Sequence, residues 1–130
     1  MNEEAKKALE TDRVIDITTI GRQTGLDRRI EIWFHNIGGR IFITGMPGRR
    51  AWYANLAANP QFTFHLKDSA QADLAATARL ITKRGEKRSV FELLLPHFGR
   101  SGHIDEWVAG SPLVEVGFLA GSQSGGESQS

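Results

Sequence analysis

A segment bracketed by glycines carries a dense set of hydrogen-bond donors. It runs Gly21-Arg22-Gln23-Thr24-Gly25-Leu26-Asp27-Arg28-Arg29, which places guanidinium, amide and hydroxyl groups close together. A glycine-rich turn of this kind can hold an anion with its backbone N–H groups and arginine side chains. Basic glycine-rich loops are also common as plain turns, so the segment needs support from elsewhere in the chain.

A second segment, from residue 45 to residue 55, adds groups that suit a planar ring. The glycines and proline of Gly45-Met46-Pro47-Gly48 predict a loop with accessible backbone amides. Trp52 and Asn55 follow, so a flat heterocycle could stack on the indole while the amide reads its edge. The alternative, favoured for Trp52 itself, is that Trp52 and Leu56 form the buried stripe of a short helix.

The arginines are concentrated in the window that contains both segments. Lys and Arg total 16 against 15 Asp and Glu, a net charge of +1, yet between residues 21 and 50 six arginines face two acidic residues, with no lysine. Arginine favours planar, bidentate contacts to phosphate or carboxylate, although a solvated rim of turns would give the same count. The small net charge argues against a nucleic-acid binder.

Several other kinds of site lack their usual residues. The chain has no cysteine, which excludes disulfides, thiolate metal sites and a catalytic thiol. The four histidines, at positions 35, 65, 97 and 103, show no metal-binding spacing, and no nucleophile elbow, P-loop or dinucleotide fingerprint is present. No metal site is predicted, and the catalytic residue stays unknown.

The elements that must position these groups are mostly strands. Six segments have β-branched composition or alternating apolar residues, namely 14–20, 29–35, 40–44, 61–67, 72–82 and 113–119. Residues 72–82 suit a helix or a strand, and we interpret them as a strand. Helices are predicted over 50–58 and 83–98, with a further turn or two at 104–109.

This pattern predicts a mainly β (α+β) protein with a six-stranded antiparallel barrel and flanking helices. Residues 1–12 are a lead-in with the composition of a short helix, 13–120 form the barrel domain, and 121–130 are a disordered Gly/Ser/Gln tail. The N-terminus lacks the apolar core of a signal peptide, and no stretch reaches the roughly 18 apolar residues of a membrane span. A cytoplasmic protein without an integral membrane segment is expected.

Two motifs taken together give a more specific signal than either alone. They are T-T-x-G-R-x-T-G at residues 18–25 and W-Y-x-N-L-x-A-N-P at residues 52–60. With Arg28, Arg29 and Trp33 between them, residues 14–67 resemble the deazaflavin-dependent nitroreductase family. The resemblance implies a split β-barrel and the use of reduced 8-hydroxy-5-deazaflavin, coenzyme F-420, as a hydride donor.

The resemblance also implies a binding role for particular positions. The turn would meet the phosphate and acidic tail of the coenzyme through Gln23, Thr24 and Arg28, with Arg29 beside them. The deazaflavin ring would lie against the backbone around Glu31, Ile32 and Trp33 together with Gly45 and Met46, and Trp52 and Asn55 would close the pocket. The family usually has Lys where this chain has Gln23, and Pro where it has Glu31.

The function implied is hydride transfer from the reduced coenzyme to a small acceptor such as a quinone, a nitro compound or an enone. FMN is the alternative cofactor. A different class of function also stays open, in which the same barrel is a non-catalytic carrier of a lipid, haem or flavin. The expected partner is a small-molecule acceptor, and split-barrel relatives often pair, so a homodimer is a further option.

Overall fold

The computed structural model describes residues 1–99 and 103–119. Its helices are α1 (Glu3–Thr11), α2 (Ala51–Ala58), α3 (Arg84–His97) and α4 (Ile104–Gly110). Its strands are β1 (Val14–Ile20), β2 (Asp27–Trp33), β3 (His35–Ile37), β4 (Arg40–Thr44), β5 (Gln61–Leu66), β6 (Ala72–Leu80) and β7 (Leu113–Phe118). The tail predicted to be disordered, 121–130, lies outside the described residues.

The strands form one curled antiparallel sheet in the order β2-β1-β5-β6-β7-β4-β3. This confirms the predicted α+β split barrel with flanking helices, but the predicted strand count of six was wrong. The chain predicted as one strand over residues 29–35 is divided at Phe34, and its continuation, β3, pairs with β4. The β3–β4 hairpin turns at Gly38 and Gly39, whose φ angles of 62° and 93° give the twist that a two-residue hairpin needs.

Phe34 is the joint between the two outermost strands of the sheet. Its side chain is fully buried, and its ring packs edge-on against Phe64 with 5.3 Å between the centroids. Its backbone N–H donates to the carbonyl oxygen of Arg13 at 2.9 Å. Because β2 and β3 meet at this residue, one stretch of chain links the two edges of the sheet and curls it into a half-barrel.

Two apolar clusters hold the helices to the sheet. The first lies between β1, β5 and β6 and includes α1 and α2, so the lead-in is part of the core: Ala5, Ala8 and Leu9 are buried there. The second cluster packs α3 and α4 against Phe42 of β4. The helix α1 begins at Asn2, whose side-chain oxygen accepts a hydrogen bond from the Ala5 N–H at 2.8 Å.

The segment that suited a helix or a strand is a strand. The strand β6 pairs with β5 on one side and with β7 on the other, so its alternating residues Leu74, Ala76 and Ala78 face the core. Sheet pairing on both sides therefore overrides the helix propensity of its alanines. In the described part of the chain, every helix is too short or too polar to span a bilayer.

A charged cluster on the outside of the sheet links three strands. Glu115 of β7 accepts hydrogen bonds from Arg40 of β4 at 3.0 Å and from Arg79 of β6 at 2.8 Å. The bond from Arg40, helped by Arg79, lowers the pKa of Glu115 to about 2. Because the carboxylate form is favoured in the folded state, this contribution to stability is complete above pH 4.5 and is lost as the pH falls towards 2.

Replacing Glu115 by glutamine should therefore lower the free energy of unfolding by about 1 kcal/mol at pH 7, since the pairs are partly exposed to water. The variant should also lose less stability than the wild type between pH 5 and pH 3. Urea denaturation at both pH values measures each effect. The control is Glu92→Gln, at an exposed position of α3. Parallel pH profiles for the wild type and Glu115→Gln would contradict the prediction.

Candidate functional site

The donor-rich segment found in the sequence is a tight turn between β1 and β2. The N–H of Gly21 donates to the Leu26 carbonyl at 2.8 Å, and the Leu26 N–H donates to the Thr24 hydroxyl at 3.1 Å. Gly21 has no room for a side chain, because a Cβ there would lie 2.8 Å from the Thr24 hydroxyl and 3.1 Å from the Leu26 carbonyl oxygen. The turn therefore closes on itself, and Arg22 and Gln23 within it are exposed residues.

Asn55 ties this turn to α2. Its Oδ1 accepts hydrogen bonds from the backbone N–H of Arg22 at 3.1 Å and from the Arg22 Nη1 at 2.9 Å. Its Nδ2 donates to the Thr19 hydroxyl at 3.2 Å, and the residue is only 4% exposed. The Asn55 amide, which was predicted to contact the edge of a ring, is therefore hydrogen-bonded to other residues of the protein. Its role is to position Arg22.

Between the turn and α2 lies a cavity of about 340 Å³, which we call the anion cavity. It is lined by Thr19, Gly21, Arg22, Gln23, Thr24, Arg28, Ile30, Ala51, Trp52 and Asn55. Five of the residues predicted to bind the cofactor meet here, and no acidic side chain is among the lining residues. Arg28 forms no ion pair with any residue that the structure describes, so its guanidinium is available to an anion.

A second depression, the arginine groove, continues from the anion cavity. It measures about 500 Å³ and is lined by Arg22, Arg49, Arg50, Ala51, Tyr53 and Ala54. The guanidinium of Arg50 is held by the backbone, because it donates to the carbonyls of Met46 at 3.1 Å and Arg49 at 2.9 Å. The two spaces share Arg22 and Ala51, so a long acidic ligand could occupy both of them.

Trp52 is 7% exposed and belongs to the core, as the helix-stripe interpretation expected. It nevertheless forms part of the wall of the anion cavity. The neighbouring ring of Tyr53 meets it edge-on at 5.9 Å between centroids, and burial raises the pKa of Tyr53. Trp52 therefore supplies an apolar wall whose position is fixed by packing.

The structure does not bring Arg29 and Glu31 into the anion cavity. Arg29 donates to Asp16 at 2.9 Å, and Lys67 contacts Glu31 at 2.6 Å and Asp16 at 2.7 Å. A hydrogen bond from Lys67 lowers the pKa of Asp16, so this network stays charged. Because side chains alternate along a strand, Arg28 and Ile30 face the cavity while Arg29 and Glu31 face away from it. The negative charge of Glu31 is therefore balanced elsewhere.

The ring-facing residues predicted from the sequence gather at a different place, a cavity of about 330 Å³ that we call the aromatic cavity. It is lined by Arg13, Trp33, His35, Thr44, Gly45, Met46, His97, Phe98 and Trp107. Trp33, Gly45 and Met46 were predicted to face the ring. The side chain of Ile32 packs against the core instead, so that residue can offer a ligand its backbone alone.

The sequence did not single out His35 as a functional residue, because its spacing was considered only for metal binding. It is 7% exposed, and its Nδ1 is buried without a hydrogen-bond partner among the described residues. Burial, with the charges of His97 and Arg13, lowers the pKa of His35 to about 4, so the imidazole is neutral at pH 7. In the described part of the chain, no group of three or more acidic or histidine side chains could hold a metal ion.

Comparison with known families identifies the family of this chain. Residues 2–98 match the family model described as F420H(2)-dependent quinone reductase. This range contains both motifs and the strands β1 and β2. The chain belongs to this family. The matched range includes the whole β1–β2 turn and α2, which form the anion cavity. The resemblance to deazaflavin-dependent enzymes that the two motifs indicated is thereby confirmed.

Solved structures support the fold of this family member. A conserved hypothetical protein from Mycobacterium tuberculosis is 18% identical, with a TM-score of 0.65 over 91% of this chain and 81% of that one. An F420 reductase is 16% identical, with a TM-score of 0.67 over 92% and 97% of the two chains. An F420-H2 dependent reductase is 19% identical, with a TM-score of 0.60 over 82% and 95%. At these identities the likeness establishes the split-barrel fold.

The family's coenzyme fits the donor chemistry of the cavities. Coenzyme F-420 carries a phosphate and an acidic tail, and the anion cavity and arginine groove are lined by arginines without acidic neighbours. Family membership confirms coenzyme F-420 as the expected cofactor and makes FMN secondary. It also indicates an oxidoreductase that depends on the reduced coenzyme. Because this chain has Gln23 where the family usually has lysine, the arginines are the charged groups of this site.

Proposed function

We propose that this protein transfers a hydride from reduced coenzyme F-420 to a small organic acceptor, of which quinones, nitro compounds and enones are candidates. The observation that carries the proposal is the anion cavity beside β2, whose Arg28 forms no ion pair with the residues that the structure describes. When bound, the coenzyme supplies the hydride. The protein's residues bind the acidic end of the coenzyme and hold its reactive ring in place.

The binding residues divide into those that contact the ligand and those that position them. Thr24 and Gln23 offer uncharged donors at the turn, while Arg28 and Arg22 supply positive charge. Asn55 fixes the guanidinium of Arg22 and is a positioning residue. Binding roles for Arg29 and Glu31 stay predictions. Arg29 would have to leave its ion pair with Asp16 to contact the acidic tail, whereas the role predicted for Glu31 uses its backbone and is compatible with its ion pair to Lys67.

The test is a titration of the purified protein with the oxidised coenzyme, monitored by tryptophan fluorescence. Replacing Arg28 by alanine should weaken coenzyme binding by about tenfold, because a charge-assisted hydrogen bond is lost, and should reduce the salt dependence of binding. Replacing Arg84, an exposed residue at the start of α3, is the control and should leave both quantities unchanged. Equal effects of the two variants would indicate diffuse electrostatics in place of a defined site.

Parallel titrations with FMN and haem separate this function from that of a non-catalytic carrier. Absence of quenching by the deazaflavin at tens of micromolar, together with tight binding of haem or FMN, would contradict the proposal. Oxidation of the reduced coenzyme in the presence of a quinone, a nitroaromatic and an enone then ranks the acceptors. The homodimer stays a prediction, which sedimentation of the purified protein can test.

A further inference from the structure

The loop between β4 and α2 is an exposed segment at the edge of the aromatic cavity. It comprises residues 45–49, most of which are exposed. A backbone hydrogen bond ties its middle to α4, because the Gly48 N–H donates to the Gly110 carbonyl at 3.0 Å. Gly45 and Met46, at its start, line the aromatic cavity. The shape of this loop therefore decides which groups that side of the cavity presents to a ligand.

The side chain of Arg50 fills the inside of this loop. Its Nη2 donates to the Met46 carbonyl at 3.1 Å, and its Nη1 donates to the Arg49 carbonyl at 2.9 Å. A Cβ on Gly48 would lie 2.9 Å from Nη1, and a Cβ on Gly45 would lie 3.4 Å from Nε. The two glycines thus leave room for the guanidinium, which lies against the loop backbone on several sides.

The backbone of Arg50 is fixed, because it lies where α2 begins. Its carbonyl accepts a hydrogen bond from the Ala54 N–H at 3.2 Å, and Trp52 and Leu56 of the same helix are buried in the core. A planar guanidinium presents several N–H donors in a fixed arrangement, whereas the ammonium of lysine is a compact charge on a flexible stem. Arg50 therefore connects a helix packed in the core to the exposed loop.

We propose that Arg50 is a positioning residue, which holds the loop of residues 45–49 against the aromatic cavity and thereby sets where the coenzyme ring lies for hydride transfer. The inference rests on the proposed function, because Gly45 and Met46 were predicted to face that ring. It separates Arg50 from Arg28, since the guanidinium of Arg50 is already bound to carbonyls of its own loop. A displacement of the ring by about 1 Å is enough to slow the transfer.

The first experiment measures the loop itself and needs no coenzyme. The variant Arg50→Lys keeps the positive charge but loses the planar donor group, so the Gly48 amide hydrogen should exchange with solvent about tenfold faster, as expected for one lost charge-assisted hydrogen bond. Exchange is followed by NMR. Arg84→Lys, the same substitution at an exposed residue at the start of α3, is the matched control and should leave this rate unchanged. A wild-type exchange rate in Arg50→Lys would overturn the inference.

The second experiment separates positioning of the ring from attraction of the acidic tail. With reduced coenzyme and the fastest acceptor found among the quinone, the nitroaromatic and the enone, Arg50→Lys should lower kcat by about tenfold. Its affinity for the oxidised coenzyme, measured by tryptophan quenching, should change by less than about twofold, because the charge is kept. Arg84→Lys should retain both values. A loss of affinity with an unchanged kcat would overturn the inference and assign Arg50 to the acidic tail.

A variant on the other side of the same contact completes the test. Gly48→Ala keeps every charge but places a methyl group 2.9 Å from the Arg50 Nη1, at a φ of 135° that alanine disfavours, and should reproduce the fall in kcat. The double variant should fall no further, because both substitutions disturb one contact. Fully additive effects would overturn the inference. Failure of the wild type to bind the coenzyme would instead count against the proposed function, and the exchange of Gly48 would still decide whether Arg50 holds the loop.

Discussion

Replacing Asn55 by alanine is expected to lower the free energy of unfolding by about 2–3 kcal/mol and to weaken coenzyme binding by about tenfold. The stability loss follows because three hydrogen bonds disappear in a buried place, leaving donors of Arg22 without their acceptor. The affinity loss follows because the Arg22 guanidinium, which stands between the anion cavity and the arginine groove, loses its fixed position. Urea denaturation measures the first effect, and a fluorescence titration measures the second.

The matched control is Asn59→Ala, at the residue that follows the C-terminus of α2. The Asn59 side chain accepts one hydrogen bond, from the Gln61 N–H at 3.2 Å, and the residue is partly exposed, so its loss should cost less than about 1 kcal/mol. Coenzyme affinity should stay at the wild-type level in this control. If Asn55→Ala lost stability but kept full affinity, the positioning role of Asn55 for Arg22 would be wrong.

The other large effect is expected at the joint of the barrel, where Phe34→Ala should cost about 3–5 kcal/mol of stability. The reason is that a fully buried aromatic ring is removed from a place where two strands meet, and the surrounding sheet cannot easily close the gap. Phe34→Leu, which retains most of the volume, should cost far less. Denaturation curves of both variants provide the measurement.

Leu93→Ala serves as the control for removal of apolar volume at an exposed position, because Leu93 is 49% exposed on α3. Its effect should be below about 1 kcal/mol. A loss of similar size in Phe34→Ala and Leu93→Ala would mean that the joint is not a point on which the closure of the sheet depends.

Local composition was sufficient to predict most of the elements. Alternation of apolar residues in β5 and β-branched residues in β1 are signals that sheet pairing simply reinforces. The break at Phe34 could not be predicted in the same way, because β3 exists only through its pairing with β4. Nothing in the residues from Arg29 to His35 marks the change of partner, since the apolar alternation continues through it. The strand count was therefore one too low.

The candidate site was predictable where its residues are near one another in sequence. The turn and α2 could be predicted because each contains a local motif, and Arg28 because it lies three residues after the first motif. The histidines of the aromatic cavity could not be predicted in this way, because His35 lies on β3 and His97 on α3, and only the folded chain places them together. The functions of Arg29 and Asn55 depend on which way a side chain points and on which partner it finds, and spacing alone does not determine either.

The strand β2 also sets a length scale. Arg28 near its start lines the anion cavity and Trp33 at its end lines the aromatic cavity. At about 3.3 Å per residue in an extended strand, these two residues are roughly 17 Å apart along the chain. A single inserted residue would lengthen this spacing and would also move every side chain beyond it to the opposite face of the sheet. The number of residues between the two cavities therefore sets the distance between the ligand groups that they could hold.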